Sequence, residues 1–390
     1  MSESLSISKV TTDTEFLALR KEWNELVERD EFATVFQTWE FQYHTWRISS
    51  ATVSPYIFLV RDKRGNLIGC VPFGSRVWRI GPLSTKILEF ASGRYCDYAN
   101  FILQKNREEE ILSALAQYFQ ANFRQWDVIR LQPIREDSLL KREDLFLSKI
   151  GYPFRIRQCS IGSFLKIRLD WENYEDALSK KCACSMRRKV RKIFHKFPGD
   201  YQVTSDVGSI GDAVNQLMVL HQKRMQKMYQ VGAFCELRAQ EEFQILAQEF
   251  AKRGMSKVHA ISFSEQTIAS GLTFEFDGTI SYYQCGFDLD YRRLSPGTVL
   301  QAMCINQAIK DSATEFDFLR GNEPYKQKWT NGQRQLYTIE VMTGSWYAFQ
   351  YLWWDQLRIR LSKSKRLRAL NLWLKKRRDN TKAIGQHSEK

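Results

Sequence analysis

A turn in the second half of the sequence, residues 291–298, combines residue types that could hold a phosphate. Ser295 can cap a helix, Pro296 fits its first position, and Gly297 lets the backbone approach a ligand closely. Free N–H groups at the start of that helix, and the positive end of its dipole, favour an anion such as a pyrophosphate. The candidate phosphate-binding residues are Arg292, Arg293, Ser295, Gly297 and Thr298. An ordinary capped helix start is the alternative that this spacing leaves open.

The turn connects a predicted meander of strands to a predicted helix. Apolar residues three and four apart indicate helices, and alternating apolar residues indicate strands, with a hairpin turn at Asp277-Gly278. The predicted helices cover 210–229, 237–252 and 298–310, and the predicted strands cover 257–263, 267–276, 280–287 and 315–319. The sequence therefore predicts an α/β unit in which the turn follows the last strand of the meander.

The first half of the chain repeats this order of elements. Its predicted helices cover 14–29, 39–48 and 107–123, and its predicted strands and extended segments cover 56–61, 67–73, 88–98, 99–103 and 126–132. A tandem duplication of one α/β unit explains the repetition, and 390 residues exceed what one compact domain usually holds. We predict two similar units over residues 1–165 and 166–345, followed by a basic amphipathic tail over 346–390.

The positive charge of the chain is concentrated in two segments. Of the formal net charge of +14, residues 346–390 carry +9, from twelve Lys/Arg against Asp355, Asp379 and Glu389. Residues 180–196 carry +8, from eight Lys/Arg and no acid. The rest of the chain is nearly neutral, so the globular body shows no general preference for polyanions such as nucleic acids.

Cysteine usage and hydropathy narrow the class of protein further. The close pair Cys182-Ala-Cys184 lacks a second pair and a nearby His at zinc spacing, so we predict reduced thiols and no metal site. No stretch reaches the roughly 18 apolar residues that a membrane span needs, and no secretion signal opens the chain. We therefore expect a cytoplasmic protein.

Five segments together carry a family resemblance. They are residues 221–224 (His-Gln-Lys-Arg), 282–288 (Tyr-Tyr-Gln-Cys-Gly-Phe-Asp), the 291–297 turn, 316–321 (Phe-Asp-Phe-Leu-Arg-Gly), and 323–326 (Glu-Pro-Tyr-Lys) with Trp329. As a set they resemble the CelD-like, or BcsL-like, members of the GNAT superfamily, which are associated with bacterial cellulose and exopolysaccharide production. The resemblance covers about 14–341 and is strongest over 202–330.

The resemblance implies a fold and a reaction. The fold is a tandem pair of GNAT-like α/β domains, with mixed and largely antiparallel sheets flanked by helices. The donor is an acyl-CoA, with acetyl-CoA as the first candidate, and the acceptor is a group attached to a glycan or its precursor. In one respect the sequence departs from the superfamily, whose pyrophosphate loop usually reads Arg/Gln-x-x-Gly-x-Gly/Ala. Here Arg293 precedes Gly297 by four residues, and Thr298 follows Gly297.

The loop over residues 322–329 supplies candidate catalytic residues for acyl transfer, which needs a base, oxyanion donors and an acid for the leaving thiolate. Glu323 is a candidate base, Tyr325 a candidate acid, and Lys326 could hold an anionic substrate. The alternative is that Glu323 and Lys326 form a surface pair and that Tyr325 packs in the core.

The resemblance also supports candidates outside this loop. His221 lies on an apolar helical stripe with Arg224 one turn away, and a buried core histidine is the alternative to a catalytic one. Tyr283 and Gln284 should face opposite sides of their strand, and we favour Tyr283 as the residue that points at substrate. The candidate substrate-binding residues are Arg224, Trp329, Arg187, Arg188 and Arg191.

Those last three arginines belong to the basic run at 180–196, which has the apolar stripe of an amphipathic helix. A solvated helix face is one reading of the run. An anion-binding wall near the acceptor, suited to a nucleotide-linked or acidic sugar, is the other. The tail after Trp346 combines aromatic, leucine and basic residues, which is typical of a helix lying on a membrane surface, although packing on the catalytic domain is also open.

The first half lacks a counterpart of the Ser-Pro-Gly turn. Lys105-Asn106-Arg107 occupies that place and has no glycine for close phosphate approach, so we predict that the first half binds no CoA. It is expected to support the second half and to line one wall of an acceptor cleft between them.

Three classes of function fit the sequence. The favoured one is an acyl-CoA-dependent N- or O-acyltransferase acting on a polysaccharide-related acceptor. The second is a Fem-type aminoacyltransferase that draws on aminoacyl-tRNA, the one nucleic acid expected as a partner. The third is a non-catalytic component of a polysaccharide synthase. Binding of acetyl-CoA would distinguish the first class, and binding of tRNA the second.

Overall fold

The secondary structure alternates helices with strands along the whole chain. The computed structural model describes residues 5–80, 83–168, 170–228, 230, 232–264 and 266–362. The helices are α1 (Asp13–Ala18), α2 (Arg20–Val27), α3 (Trp39–Ser49), α4 (Glu108–Asn122), α5 (Ser148–Ile150), α6 (Trp171–Ala177), α7 (Lys180–Arg191), α8 (Ile210–Lys227), α9 (Leu237–Lys252), α10 (Pro296–Lys310) and α11 (Trp346–Ser362). The strands are β1 (Ser6–Val10), β2 (Ser54–Pro55), β3 (Ile57–Arg61), β4 (Leu67–Val71), β5 (Phe73–Ile80), β6 (Leu83–Phe90), β7 (Ile102–Leu103), β8 (Val128–Arg135), β9 (Phe154–Lys166), β10 (Gly199–Thr204), β11 (Ser256–Phe263), β12 (Gln266–Phe276), β13 (Thr279–Phe287), β14 (Glu315–Arg320) and β15 (Gly332–Met342).

Within the described ranges the strands assemble into two sheets. A four-stranded sheet has the order β1-β3-β4-β7, and an eleven-stranded sheet has the order β10-β11-β12-β13-β14-β9-β15-β8-β6-β5-β2. Most neighbours are antiparallel, but β13 pairs with β14 in parallel, and so does β6 with β8. Parallel neighbours need a crossover, which α10 provides in the second half and α4 in the first. The α/β class predicted from the sequence is confirmed.

Two long strands join the halves of the chain in the middle of the large sheet. β9 pairs with β14 on one side and β15 on the other, and β15 then pairs with β8 of the first half. β9 runs across the predicted boundary at 165/166, so the two halves share one continuous sheet there. The boundaries themselves, and the superposition of the halves, stay predictions.

Local patterns predicted the second half closely. The helices α8 to α10 and the strands β11 to β14 lie where the periodicity placed them. Asp277 and Gly278 both adopt positive φ, 44° and 69°, as a two-residue hairpin turn requires. In the first half the predicted extended segment 88–98 is wrong beyond Phe90, because the chain turns there into a short 3-10 helix, and the predicted helix over 14–29 breaks at Leu19.

The tail begins with a helix that packs on the first half of the chain. Ala348, Tyr351 and Leu352 of α11 are buried against Ile87 of β6 and Val128 of β8. Met342 of β15, in the second half, also packs against this cluster, so the described part of the tail lies mainly on the first half and touches the second. The rest of the predicted tail, residues 363–390, lies outside the described ranges.

A buried ion cluster fixes this helix to the sheet. Arg130 of β8 donates to Glu340 of β15 at 2.7 Å and to Asp355 of α11 at 2.8 Å. All three side chains are buried, and the guanidinium also lies over the Tyr351 ring of α11, so it would be costly to leave it without these partners. The cluster therefore joins both halves and α11.

Candidate functional site

The turn before α10 begins the helix as predicted but not with the predicted cap. Ser295 adopts a left-handed conformation, φ 55° and ψ 50°, and its side chain makes no capping hydrogen bond. A side-chain cap needs an extended residue at that position, so the predicted capping role of Ser295 is wrong. Its carbonyl instead accepts the N–H groups of Thr298 and Val299 at 3.0 and 3.3 Å. The left-handed serine therefore closes the first turn of α10 through its backbone.

Gly297 lies where added atoms would meet an aromatic ring. A Cβ there would sit 3.1 Å from Cδ1 of Phe287, the last residue of β13. Arg292 and Arg293, both exposed, occupy the 3-10 turn that leads into Ser295. The predicted cations, the glycine and the helix N-terminus are thus brought together beside the end of β13.

A β-bulge changes the direction of side chains in β13. Tyr282 lies opposite Thr273 in β12, whereas Gln284 lies opposite Leu272, so Tyr283 is an extra residue. The prediction that Tyr283 and Gln284 face opposite sides is therefore wrong. Both line one cavity, because the bulge shifts the alternation by one residue.

Strand β14 leaves β13 soon after the two strands pair. The parallel pairing covers Thr279–Ser281 with Glu315–Asp317, and beyond it Leu319 adopts a positive φ of 60°. The carboxylate of Asp317 holds this departure, because its Oδ1 accepts the Leu319 N–H at 2.6 Å and the Tyr98 hydroxyl at 2.9 Å. The bulged end of β13 consequently faces an opening in the sheet.

One face of this opening carries a cluster of buried polar groups. The Tyr282 hydroxyl is buried with no hydrogen-bond partner among the described residues. The guanidinium of Arg224, from α8, lies 3.8 Å from the Cys285 thiol and over the Phe287 ring. Burial, with Cys285 and Glu323 nearby, raises the pKa of Tyr325, so this phenol keeps its proton at neutral pH. Tyr325 and Arg224, both predicted from the sequence, therefore meet here, with Cys285 and Tyr282 as residues that sequence reasoning missed.

The loop after β14 is held by Lys326. Its ammonium is buried and donates to the carbonyls of Leu319 and Arg320 at 3.2 and 2.9 Å, and it lies 3.0 Å from Glu323. An ammonium has three donors, and these contacts use all of them. The prediction that Lys326 holds an anionic substrate is therefore wrong, because the side chain stabilises the loop. Glu323 is half exposed and paired with it, so the ion-pair reading of these two residues is the one the contacts support.

The opposite face of the opening is a cavity of about 270 Å³ at the junction of the two halves. Arg94, Tyr95 and Asp97 line it from the first half, and Tyr283, Gln284 and Arg320 are among the lining residues from the second. The guanidinium of Arg320 lies 3.1 Å from the Asp97 carboxylate and donates to the Arg94 carbonyl at 3.1 Å. The Tyr283 hydroxyl donates to the Tyr95 carbonyl at 3.0 Å, so this predicted catalytic residue links the halves.

Asp97 is a further group that sequence reasoning missed. Burial raises the pKa of its carboxyl, while Arg320 and Lys326 act to lower it. A carboxylate of raised pKa at the edge of a cavity has the properties of a general base. No local signal could have selected it, because its partner Arg320 is distant in the sequence.

His221 is buried between α8 and the following loop. Its Nδ1 has no partner among the described residues, and its ring packs on Phe234. Burial lowers the pKa of His221 to about 4, and the positive charge of Arg224 contributes to this shift. His221 is therefore neutral at pH 7. The backbone of α8 also approaches β13 closely here, because a Cβ on Gly286 would lie 2.5 Å from the backbone nitrogen of His221.

His221→Gln should make the protein less sensitive to acid. The folded pKa of about 4 lies below the usual 6.5, so the neutral ring contributes stability above pH 6.5 that is lost as the pH falls toward 4. Between pH 7 and 4.5, protonation of His221 should lower the free energy of unfolding of the wild type by about 2–3 kcal/mol. The variant has no such group and should not show this loss. Urea unfolding of both proteins at the two pH values measures the difference. Equal losses would mean that His221 titrates normally.

The remaining predicted substrate-binding residues lie away from this opening. Trp329 is buried, with its indole N–H on Gln301 at 2.9 Å and its carbonyl accepting the Tyr174 hydroxyl at 2.9 Å. Arg187 is paired with Glu175 and Asp176 of α6. Arg188 and Arg191 are exposed on α7, as expected for the solvated helix face that was one of the two interpretations of the basic run.

Comparison with known proteins agrees with the fold. Residues 180–327 match the family model described as an acetyltransferase (GNAT) domain. A crystal structure of FemX is similar, with a TM-score of 0.54 and 10% identity, over 85% of this chain and 96% of that one. The C-terminal domain of a putative lysylphosphatidylglycerol synthetase from Agrobacterium fabrum is similar at 0.54 and 12% identity, over 87% and 95%. L-PGS from Bacillus licheniformis is similar at 0.52 and 9% identity, over 88% and 97%. No curated protein sequence matches.

These matches define the class of the fold. The match to the GNAT acetyltransferase domain covers the turn, the bulged strand and most of the loop after β14, and the similar structures share the fold over 85–88% of this chain. The predicted tandem GNAT-like fold class is confirmed. In the described part of the chain, no cluster of His, Cys, Asp and Glu is arranged to hold a metal, and no helix is long and apolar enough to cross a membrane.

Proposed function

We propose that the protein is an acyltransferase that takes an acyl group from acyl-CoA, acetyl-CoA first among them, and transfers it to a polysaccharide-related or sugar-linked acceptor. The observation that carries the proposal is the opening where β14 leaves the bulged end of β13. On one face of the sheet, this opening lies beside the Arg292–Gly297 turn and the cluster of Tyr282, Cys285 and Tyr325. On the other face it lies beside the cavity between the two halves, called the junction cavity here. A donor and an acceptor could therefore approach the same point from opposite faces.

The residues around the turn fit a phosphorylated donor. The start of α10 offers a helix dipole, Gly297 leaves room beside Phe287, and Arg292 and Arg293 add positive charge. The buried Tyr282 hydroxyl lies beside the Cys285 thiol and can donate to an acceptor in the opening. When bound, acyl-CoA supplies an activated acyl carbon as a thioester.

The proposed roles of the remaining groups follow from their protonation and position. Asp97 takes the proton of the acceptor nucleophile in the junction cavity, and Tyr325, protonated at neutral pH, donates to the leaving thiolate. The backbone of β13 beyond Ser281, which β14 does not pair, offers N–H donors for the carbonyl oxygen. Arg224 stiffens the donor side through its contacts with Cys285 and Phe287.

A second candidate is an aminoacyltransferase that uses aminoacyl-tRNA. One similar structure is described as the C-terminal domain of a putative lysylphosphatidylglycerol synthetase and another as L-PGS, and the similarity at this identity concerns the fold. The exposed cations Arg188 and Arg191 of α7 could contact a nucleic acid backbone. A non-catalytic component of a polysaccharide synthase is the third class.

Calorimetric titration distinguishes the three proposals. Under the favoured one, acetyl-CoA binds with one site per chain, and uncharged tRNA neither binds nor competes. Binding of tRNA without binding of acetyl-CoA would support the aminoacyltransferase. Absence of both would leave the non-catalytic role.

We further propose that α11 holds the protein on the cytoplasmic face of the membrane. The side of α11 opposite its buried residues exposes five aromatic side chains, called the aromatic face here: Trp346, Tyr347, Phe349, Trp353 and Trp354. Aromatic rings favour the membrane interface, and the sequence after α11 is strongly basic. Each Lys or Arg near an anionic surface is worth about 1 kcal/mol.

The triple variant Trp346→Gln, Phe349→Gln, Trp353→Gln should bind phosphatidylglycerol vesicles at least about tenfold more weakly than wild type. Its three side chains point away from the sheet, so the fold should persist. Vesicle sedimentation measures the binding, and Leu237→Gln, at an exposed apolar residue elsewhere, is the matched control. Equal sedimentation of the triple variant and wild type would reject the membrane role of the aromatic face.

A further inference from the structure

A second cavity, of about 730 Å³, lies on the α10 side of the sheet. It is enclosed by the end of β9, by α6 and the start of α7, and by the loop between β14 and β15. Its volume falls in the range of small-molecule binding sites. The proposed function makes no use of it.

This cavity is separate from the candidate donor site. Ile309 lines it at the C-terminal end of α10, whereas Gly297 lies at the N-terminal end. With 15 residues in α10, the two ends are about 20 Å apart. A ligand of this cavity is therefore not the pyrophosphate end of the proposed donor.

The inner wall of the cavity is apolar and already formed. Leu165, Leu178, Ile309 and Trp329 line it, and the side chains of Thr330 and Asn331 beside them are hydrogen-bonded within the protein. The Tyr174 hydroxyl donates to the Trp329 carbonyl at 2.9 Å. A wall with satisfied polar groups suits an aliphatic chain, which needs no hydrogen bonds.

The charged side chains among the described lining residues are all cations. They are Lys166, Arg168 and Lys328, each exposed at the rim. The backbone of Lys166 is fixed by Asn331, which accepts its N–H at 2.8 Å and donates to its carbonyl at 3.1 Å. Lys189 of α7 adds a further positive charge near Lys328. A positive rim over an apolar wall is complementary to an anion that carries an apolar chain.

From these features we infer that the cavity binds a single-chain anionic amphiphile, with its phosphate or carboxylate at the rim cations and its chain against Leu165, Leu178 and Trp329. The loop that forms one wall also carries Tyr325, which packs in the same apolar cluster as Leu165 and Trp329, so the bound chain lies near the proposed catalytic acid. The inference goes beyond the proposed function and does not depend on it.

Thiol footprinting tests the site directly, because one free cysteine lines the cavity and a second, close to it in the sequence, does not. Cys182 lines the cavity and is half-buried, whereas Cys184, two residues along α7, is exposed and outside the lining. Dodecyl phosphate, kept below its micellar concentration, should slow alkylation of Cys182 by N-ethylmaleimide about tenfold and leave Cys184 unchanged, as read by peptide mass spectrometry. Laurate tests whether a carboxylate replaces the phosphate. Inorganic phosphate and dodecyltrimethylammonium should protect neither cysteine.

Two variants and a control complete the experiment. Lys328→Glu, at an exposed residue, and Leu178→Trp, which fills the cavity, should each weaken dodecyl phosphate binding about tenfold in calorimetry, whereas Lys21→Glu, an exposed cation far from the cavity, should not. Circular dichroism confirms the fold of each variant. The inference is overturned if dodecyltrimethylammonium protects Cys182 as well as dodecyl phosphate does. It is equally overturned if dodecyl phosphate fails to protect Cys182 or binds Lys328→Glu as it binds wild type.

Discussion

Gly297→Glu should abolish the binding of acetyl-CoA, with a loss of affinity of at least about 100-fold. A side chain at this position first meets Phe287, whose ring lies 3.1 Å from the added Cβ. Its carboxylate then places a negative charge beside the proposed pyrophosphate site. This charge repels the pyrophosphate and takes its place at the positive end of the α10 dipole. Calorimetry with acetyl-CoA on wild type and variant measures the effect.

The matched control separates charge from bulk. Gly297→Ala adds only the Cβ, so it should weaken binding far less than the glutamate does. Circular dichroism confirms that both variants fold. Unchanged affinity of a folded Gly297→Glu protein would show that the turn is only a helix start, and the donor assignment would lose its main physical support.

Asp97→Asn should lower kcat by about 100-fold or more while leaving acetyl-CoA binding intact. The amide keeps the shape of the side chain but cannot accept the proton of the acceptor. Since burial raises the pKa of the carboxyl, the acid limb of the wild-type rate profile should lie above the range of an ordinary aspartate, and the variant should lose that limb. The rates are measured as release of CoA from acetyl-CoA, with amino sugars and with sugars that offer only hydroxyl groups as acceptors.

A structural role of Asp97 would produce a different pattern. Asp97 also pairs with Arg320, so loss of that pair could disturb the junction cavity. In that case KM for the acceptor would rise and the pH profile would keep its shape. Asp144→Asn, at an exposed carboxylate of the first half outside the junction cavity, is the control that should change neither parameter. A wild-type rate in Asp97→Asn would remove this residue from the mechanism.

The parts of the fold that sequence predicted are those set by neighbouring residues. The β12–β13 hairpin follows from Asp277-Gly278, whose positive φ angles only a few residue types adopt readily. The start of α10 follows from a proline that fits the first helical position. Such signals need no knowledge of distant residues, so they located the start of α10, where we propose the phosphate site, within a few positions.

The parts that escaped prediction depend on long-range contacts. β9 and β15 pair in the middle of the sheet although they are distant in the sequence, and no local pattern announces that pairing. The bulge at Tyr283 depends on the register with β12, so the direction of Gln284 could not be read from alternation. Asp97 meets Arg320 only because the halves share one sheet.

Two single residues show how tertiary context overrides residue type. Lysine is usually exposed, but Lys326 is buried because two carbonyls of the departing β14 and Glu323 compensate its charge. Serine usually caps with its side chain, but Ser295 is left-handed and uses its carbonyl. Both corrections move a predicted binding role to a structural one, and the proposed donor site then rests on Gly297, the helix start and the two arginines.

A crystal structure of the protein grown with coenzyme A tests the account most directly. We predict that the pyrophosphate lies against the backbone at Gly297, beside Arg292 and Arg293, and that the thiol end enters the opening between β13 and β14 beside Cys285 and Tyr325. Coenzyme A bound elsewhere on the chain, with this turn and opening free of it, would contradict the proposal.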